Sequence, residues 1–192
     1  MSDTKTKIIL AAIEVFSRNP TASMEEIAES INLNRRTLHR YFSGKSELIE
    51  EIITYASSLC LKKTKDSIQS SSDPIFQLKS MFLSDIESGY QFRFLYTYRN
   101  GYQGMEEESL DFREMMQIFR VLLKKLQTNN LLNPLLTLDW IERFYLSIID
   151  AAINLILEDE SKEKEIIKMA WISYFNAIII PSRKTLITTT ET

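Results

Sequence analysis

The stretch SMEEIAESINLNRRTLHRYF, residues 23–42, decides how this chain folds. Ser23 and Glu26 have the spacing of a capping box, in which each side chain satisfies an orphan backbone N–H in the other's turn. Met24, Ile27, Ala28 and Ile31 follow at i, i+3, i+4 and i+7, a single apolar stripe along a helix. Asn32-Leu33-Asn34 reads as a tight turn, because Asn tolerates a left-handed backbone. Asn34 is also a good N-cap for a second helix running to about Phe42. Leu38 and Phe42, four residues apart, face inward. Arg35, Arg36, Thr37, His39 and Arg40 are left mostly outward. Two short helices joined by a three-residue turn have helix-turn-helix geometry. A second helix that is apolar beneath and cationic above suits the major groove of DNA, which is wide enough to admit it.

Working outward, apolar spacing stays helical. Ile9, Ala12, Ile13 and Phe16 mark a helix from about Thr4 to Arg18, stopped by Asn19-Pro20. Ser43-Gly44 breaks the chain before a long helix, about Lys45 to Ser67, whose apolar line is Leu48, Ile49, Ile52, Ile53, Ala56, Leu59 and Cys60. Pro74 suits the first turn of a helix reaching about Ser88. From Tyr90 to Arg99 the aromatics alternate, which by period alone says strand. No other segment offers a partner strand, however, and a lone strand leaves its backbone groups unpaired. A helix is therefore expected there, with a loop over Asn100–Gly104. Further helices are expected over about Met105–Thr128, Leu138–Leu157 and Lys162–Ile180, with Pro181 as the stop and a frayed Thr-rich tail from Ser182. The expected class is all-α. The presence of only four Gly and four Pro in 192 residues agrees, since turn-rich β folds need more.

The net charge of −3 gives no global basic signal, so a nucleic-acid reading rests on one local patch. From Leu33 to Lys45 the charges are Arg35, Arg36, Arg40 and Lys45, with no carboxylate between them. Cys60 is alone, which excludes an intramolecular disulfide and points to a reducing compartment. The N-terminal MSDTKTK lacks the apolar stretch of a signal peptide. The most apolar run, Phe144–Leu157, is too short to span a bilayer and contains Asp150 and Asn154. A cytoplasmic protein with no membrane partner is expected. Gly44-Lys45-Ser46 looks like the end of a phosphate-binding loop, but the first Gly of that motif would stand where His39 does. The carboxylate clusters Glu106–Glu108 and Glu158–Glu160 have no other metal ligands at useful spacing, so neither cofactor nor metal is implied. No convergent titratable set marks an enzyme.

Ile9-Leu10-Ala11-Ala12, Phe16, Ile27-Ala28, Thr37-Leu38, Tyr41-Phe42 and Lys45-Ser46-Glu47-Leu48 together resemble the DNA-binding domain of TetR-family regulators, over about residues 7 to 53. The usual Gly of the turn is Asn32, the usual capping Ser or Thr is Asn34, and a frequent Tyr is His39. The resemblance implies that Ser23 and Lys45 contact phosphates at helix N-termini. It also implies that Arg35, Arg36, Thr37 and His39 approach base edges, that Tyr41 reaches the backbone, and that Arg40 does either. It implies two domains: a helix-turn-helix head over 1–46 and a larger helical ligand-binding and dimerisation domain over 47–192. The last two helices would pair across a two-fold axis, so that a homodimer reads a roughly palindromic operator. The middle helices would hold a small apolar or aromatic inducer, with Phe82, Tyr90, Phe94, Tyr98, Tyr102, Phe112, Met116 and Phe119 as candidate lining. The function so implied is a DNA-binding transcriptional regulator, released from its operator by ligand. The alternatives are a dimeric interaction protein with a degenerate head, and a helical enzyme.

Overall fold

The computed structural model describes residues 3–101 and 109–180. Within them the chain runs α1 (Asp3–Arg18), α2 (Met24–Ser30), α3 (Arg35–Tyr41), α4 (Lys45–Gln69), α5 (Pro74–Glu87), α6 (Tyr90–Gly101), α7 (Leu110–Thr128), α8 (Leu138–Glu158) and α9 (Glu163–Ile178). A single 3₁₀ turn, Glu160–Lys162, precedes α9. No strand occurs among the described residues, although an isolated antiparallel bridge joins Leu132 and Ile179. The chain divides into two compact units: Met1–Cys60 with Tyr90–Phe112, and Leu61–Gly89 with Arg113–Thr192.

The first unit is built on the residues that the apolar pattern of α1 to α4 turns inward. Ile9, Ala12, Ile13, Phe16, Ile27, Leu38, Phe42, Leu48, Ile52 and Ala56 are all at most 1% exposed. Asn32 has φ +53, the left-handed conformation that its side chain tolerates and that most residues resist. The alternating segment is α6. Its helix buries Phe92, Phe94 and Leu95, and Phe94 lies 6.4 Å from the Phe16 ring between centroids. The helix satisfies its own backbone, so no partner strand is needed. Tyr90 and Tyr96 sit half-exposed and keep their polar ends near water, which is how an alternating pattern coexists with a helix. Ser17 Oγ donates to the Tyr90 carbonyl at 3.2 Å and ties α1 to α6. Gly89, which precedes α6, has φ +48, a conformation that a side chain would strain.

The second unit packs α5 against α8 and α9. Its centre is aromatic. Phe82 lies 5.7 Å from Tyr145, 5.3 Å from Trp171 and 5.7 Å from Tyr174, and Phe119 lies 4.4 Å from Tyr145. Inside this cluster is a carboxyl group, Asp85, only 4% exposed. Tyr145 Oη donates to Asp85 Oδ2 at 2.6 Å. Burial raises the Asp85 pKa from 3.8 to about 7, against the opposing effects of the Tyr145 hydrogen bond and the Lys63 charge.

That shift has a sign in stability. The folded chain keeps a proton that the unfolded chain releases above its ordinary pKa of 3.8, so this contribution is full at low pH. It is lost as pH rises from about 4 to about 7, at up to about 1.4 kcal/mol per pH unit. Asp85→Asn removes the titrating group. Its stability relative to the parent, from urea titrations, should therefore be greater at pH 8 than at pH 5. An offset identical at both pH values would overturn the assignment.

Candidate nucleic-acid interface

The site is assembled from two caps and two anchors. Glu26 N donates to Ser23 Oγ at 3.2 Å and Ser23 N donates to Glu26 Oε2 at 2.6 Å, so the capping box is closed in both directions. These Ser23 donors hold the Glu26 carboxyl below its ordinary pKa. Thr37 N donates to Asn34 Oδ1 at 2.7 Å, which caps α3. Leu38 is fully buried and Phe42, at the C-cap, is 1% exposed. With those two held, Arg35, Arg36, His39 and Arg40 are all exposed, and Thr37 and Tyr41 are half-buried at the flanks.

The cations are not equivalent. Arg35 pairs with Glu25 of α2 at 2.8 Å, and its Nε donates to His39 Nε2 at 3.3 Å, which requires that imidazole nitrogen to be unprotonated. The 33–45 window holds no acid, yet packing of α2 beside α3 delivers one. Arg40 lies over the Tyr41 ring at 5.4 Å. No carboxylate pairs with Arg36 or Arg40 among the described residues, so the outward positive potential of α3 rests mainly on these two. At the start of α4, Glu47 Oε2 accepts from Ser43 N and Ser43 Oγ, both at 2.6 Å.

Lys45 is placed differently from the other basic residues. Its Nζ donates to the carbonyls of Ala22 at 2.8 Å and Pro20 at 3.2 Å, and it stands 4.9 Å from the Phe16 ring centroid. Partial burial lowers its pKa from the ordinary lysine value, and the Glu26 charge opposes this. Its ammonium thus ties the start of α4 to the turn that leads into Ser23. Sequence spacing alone could not reveal this, because the partners are backbone carbonyls more than twenty residues away.

The eight aromatic and Met positions read as ligand lining are divided between the two units. Phe94 packs on Phe16, and Tyr90 bonds Arg18 through its hydroxyl and lies 5.5 Å beneath that guanidinium. Phe112 is buried at the start of α7, where its N–H donates to Ser109 Oγ at 3.1 Å. Phe82 and Phe119 meet Tyr145 in the second unit, and Met116 of that unit is half-buried. Tyr98 falls on α6, and Tyr102 lies outside the described residues. A cleft of about 540 Å³ does open in the second unit, lined by Ile68, Gln77, Glu114, Gln117, Ile118, Val121, Leu122 and Lys125. Three of its polar groups are already engaged. Gln77 Nε2 donates to the carbonyls of Ile68 and Ser71, Lys125 Nζ donates to that of Ser72, and Glu114 pairs with Lys65. The polar residue missed in the sequence is Asp85. It sits with Leu78, Met81, Phe82 and Ile86 on the inward stripe of α5, and a carboxylate at such a position is the signal that could have found it.

A capped recognition helix held by two buried apolar residues, with exposed cations on its far side, defines a helix-turn-helix DNA-binding protein. Residues 8–52 match the family model for bacterial regulatory proteins of the tetR family, a match that covers the helix-turn-helix head. No curated protein matches it in sequence. Its fold is shared with solved regulators at low identity. The ketosteroid transcriptional regulator KstR2 of Mycobacterium tuberculosis is 13% identical with a TM-score of 0.70, over 94% of this chain and 97% of that one. LfrR of Mycobacterium smegmatis, solved in complex with proflavine, is 19% identical with a TM-score of 0.65, over 94% and 99%. A gamma-butyrolactone receptor, an ArpA-like protein, is 15% identical with a TM-score of 0.64, over 97% and 92%. Among the described residues no helix is long and apolar enough to cross a membrane.

The placement of Lys45 separates two roles by salt dependence. Losing a phosphate contact flattens the slope of log K against log salt by about 0.9. Lys45→Ala should instead lower the melting temperature and leave that slope unchanged. A flattened slope with an unaltered melting temperature would assign the ammonium to DNA.

Proposed function

We propose that this protein is a homodimeric repressor working in the cytoplasm, whose α3 helices enter successive major grooves of a roughly palindromic operator. The observation that carries the reading is α3 itself, with Leu38 fully buried and Arg35, Arg36, His39 and Arg40 exposed. In this reading Arg36 and Arg40 supply the uncompensated charge. Thr37 and His39 lie within reach of base edges, and Arg35 joins them once it exchanges Glu25 for DNA. Tyr41 and the capped N-termini at Ser23 and Asn34 meet the phosphate backbone. The head spans residues 1–46. The remainder, 47–192, carries dimerisation and a small-molecule site; the likeness of the fold to a regulator solved with proflavine and to a gamma-butyrolactone receptor supports this.

Dimerisation through α8 and α9 is supported by the apolar surface they leave in water. Trp140 is 60% exposed, Leu155 43%, Met169 52% and Ile172 45%. Large apolar side chains collected on two neighbouring helices are what an isologous interface covers.

Two measurements test this function. Binding to promoter fragments at several salt concentrations should fall steeply with salt, and Arg36→Ala should cost about 1–3 kcal/mol at particular base pairs while other positions keep their preference. Salt-insensitive binding, or an Arg36→Ala variant indistinguishable on every fragment, would remove α3 from the groove. Separately, Met169→Glu should convert the dimer to a monomer in light scattering and weaken operator binding at least tenfold, since two linked heads bind far more tightly than one. A variant that stays dimeric would move the interface elsewhere.

A further inference from the structure

The aromatic centre of the second unit contains an unfinished ion pair. Asp85 Oδ2 accepts from Tyr145, but Asp85 Oδ1 is buried with no hydrogen-bond partner. Buried polar atoms are almost always paired, and one left unpaired invites an explanation in what it binds. The neighbours cannot finish the pair. Tyr174 Oη is turned to the Ile141 carbonyl at 3.5 Å. Lys63 of α4 lowers the carboxyl pKa through its charge but makes no hydrogen bond to Oδ1. The other titratable groups bearing on the cluster are Tyr145 and Tyr174, both shifted well above the ordinary tyrosine value, chiefly by burial, and Glu142, which acts on Tyr174. None supplies a positive charge.

The surroundings specify what would. Phe82 stands one turn before Asp85 on the inward stripe of α5, and it meets Tyr145 and Trp171 edge to face and Tyr174 in a stack. Aromatic faces attract a desolvated cation, and a carboxylate in the same cluster adds a directed acceptor. A neutral ligand would gain from the rings but leave Oδ1 without a charge partner, and an anion would be repelled. Trp171 is only half-buried, so the cluster reaches the surface along α9.

We propose that the second unit binds an organic cation, an amidinium or ammonium group on a flat apolar body, with its N–H donors on Asp85 Oδ1 and its body among Phe82, Tyr145, Trp171 and Tyr174. This rests on the reading of the protein as a ligand-responsive regulator and names the class of that ligand. The rings and backbone must part locally to admit the body. When Asp85 enters the complex from its protonated form, the carboxyl proton leaves to solvent and the ligand's charge takes its place. The net charge of the site is then the same before and after binding.

The test uses the full-length protein and three probes of one shape: 1-naphthamidine, which is cationic throughout the working range, neutral 1-naphthamide, and anionic 1-naphthoate. Calorimetry at pH 8 should give an affinity for the amidinium at least tenfold above that for the amide, with no detectable binding of the naphthoate. Below about pH 7, where Asp85 gains its proton, the amidinium's advantage should shrink and binding should release a proton to the buffer. Asp85→Asn should abolish the preference. Tyr145→Phe removes a hydrogen bond that favours the ionised carboxyl, so it should keep the preference but move its pH midpoint upward. That variant also keeps the proposal open to refutation should Asp85→Asn not fold. Equal binding of amide and amidinium, retention of the preference in Asp85→Asn, or failure of the amidinium to bind would overturn the proposal. Operator binding measured with and without the amidinium is a separate arm. A cation that binds but leaves the operator complex intact would refute ligand-driven release without refuting the site, and absence of DNA binding even without the amidinium would refute the regulator reading alone.

Discussion

Two buried side chains at the underside of a seven-residue helix set the orientation of the exposed cationic face of the head. Leu38 and Phe42 are almost completely removed from water, and each such burial is worth about 1.5–3 kcal/mol. A helix as short as α3 has no independent stability, so its orientation is set by those anchors and by its cap. The outward face is then a consequence of geometry. With positions 38 and 42 inside, positions 36 and 40 fall on the opposite side, and 35 and 39 are exposed on the flanks. The same constraint leaves Arg36 and Arg40 without a carboxylate partner among the described residues, whereas Arg35 pairs with Glu25. Exposed cations of this kind stay hydrated in a free protein, and in the proposed complex water and counterions would give way to phosphate.

The head was legible in the sequence because its rules are local. A capping box and an Asn cap act within four residues of chain, as does the left-handed turn. The class of the fold followed from the same periodicity. What periodicity could not give was anything decided by the third dimension. Glu25 neutralises Arg35 only because α2 and α3 cross, and Lys45 finds the carbonyls of Pro20 and Ala22 only because α4 begins beside the first turn. The alternating aromatics of α6 show why period alone could not decide that helix, which the lack of a partner strand did. Tyrosine counts as apolar in a pattern yet behaves as amphipathic on a helix, so half-exposed Tyr90 and Tyr96 imitate the period of a strand. Aromatic side chains in general show the same limit. Being aromatic places a residue in some core without saying which. Phe94 serves Phe16, whereas Phe82 and Phe119 serve Tyr145.

Asp85 is the place where folding and function pull apart. A carboxyl on the inward stripe of α5 could be replaced by an uncharged group of the same shape at a gain in stability above neutral pH, since burial penalises its ionised form. The aromatic cluster does not need it, because Phe82, Tyr145 and Tyr174 already pack on one another. A group that costs stability and leaves one oxygen unpaired must be weighed by what a partner would gain there. A cation arriving at Oδ1 meets an acceptor already buried by the protein, so its own desolvation is the main remaining opposition. In a two-state regulator a ligand shifts the equilibrium only by the difference between its affinities for the two states. A charge pair that forms in one arrangement of α5 and is broken in the other is a direct physical source of such a difference. The about 1–3 kcal/mol typical of allosteric coupling lies within what one buried charge-assisted hydrogen bond supplies.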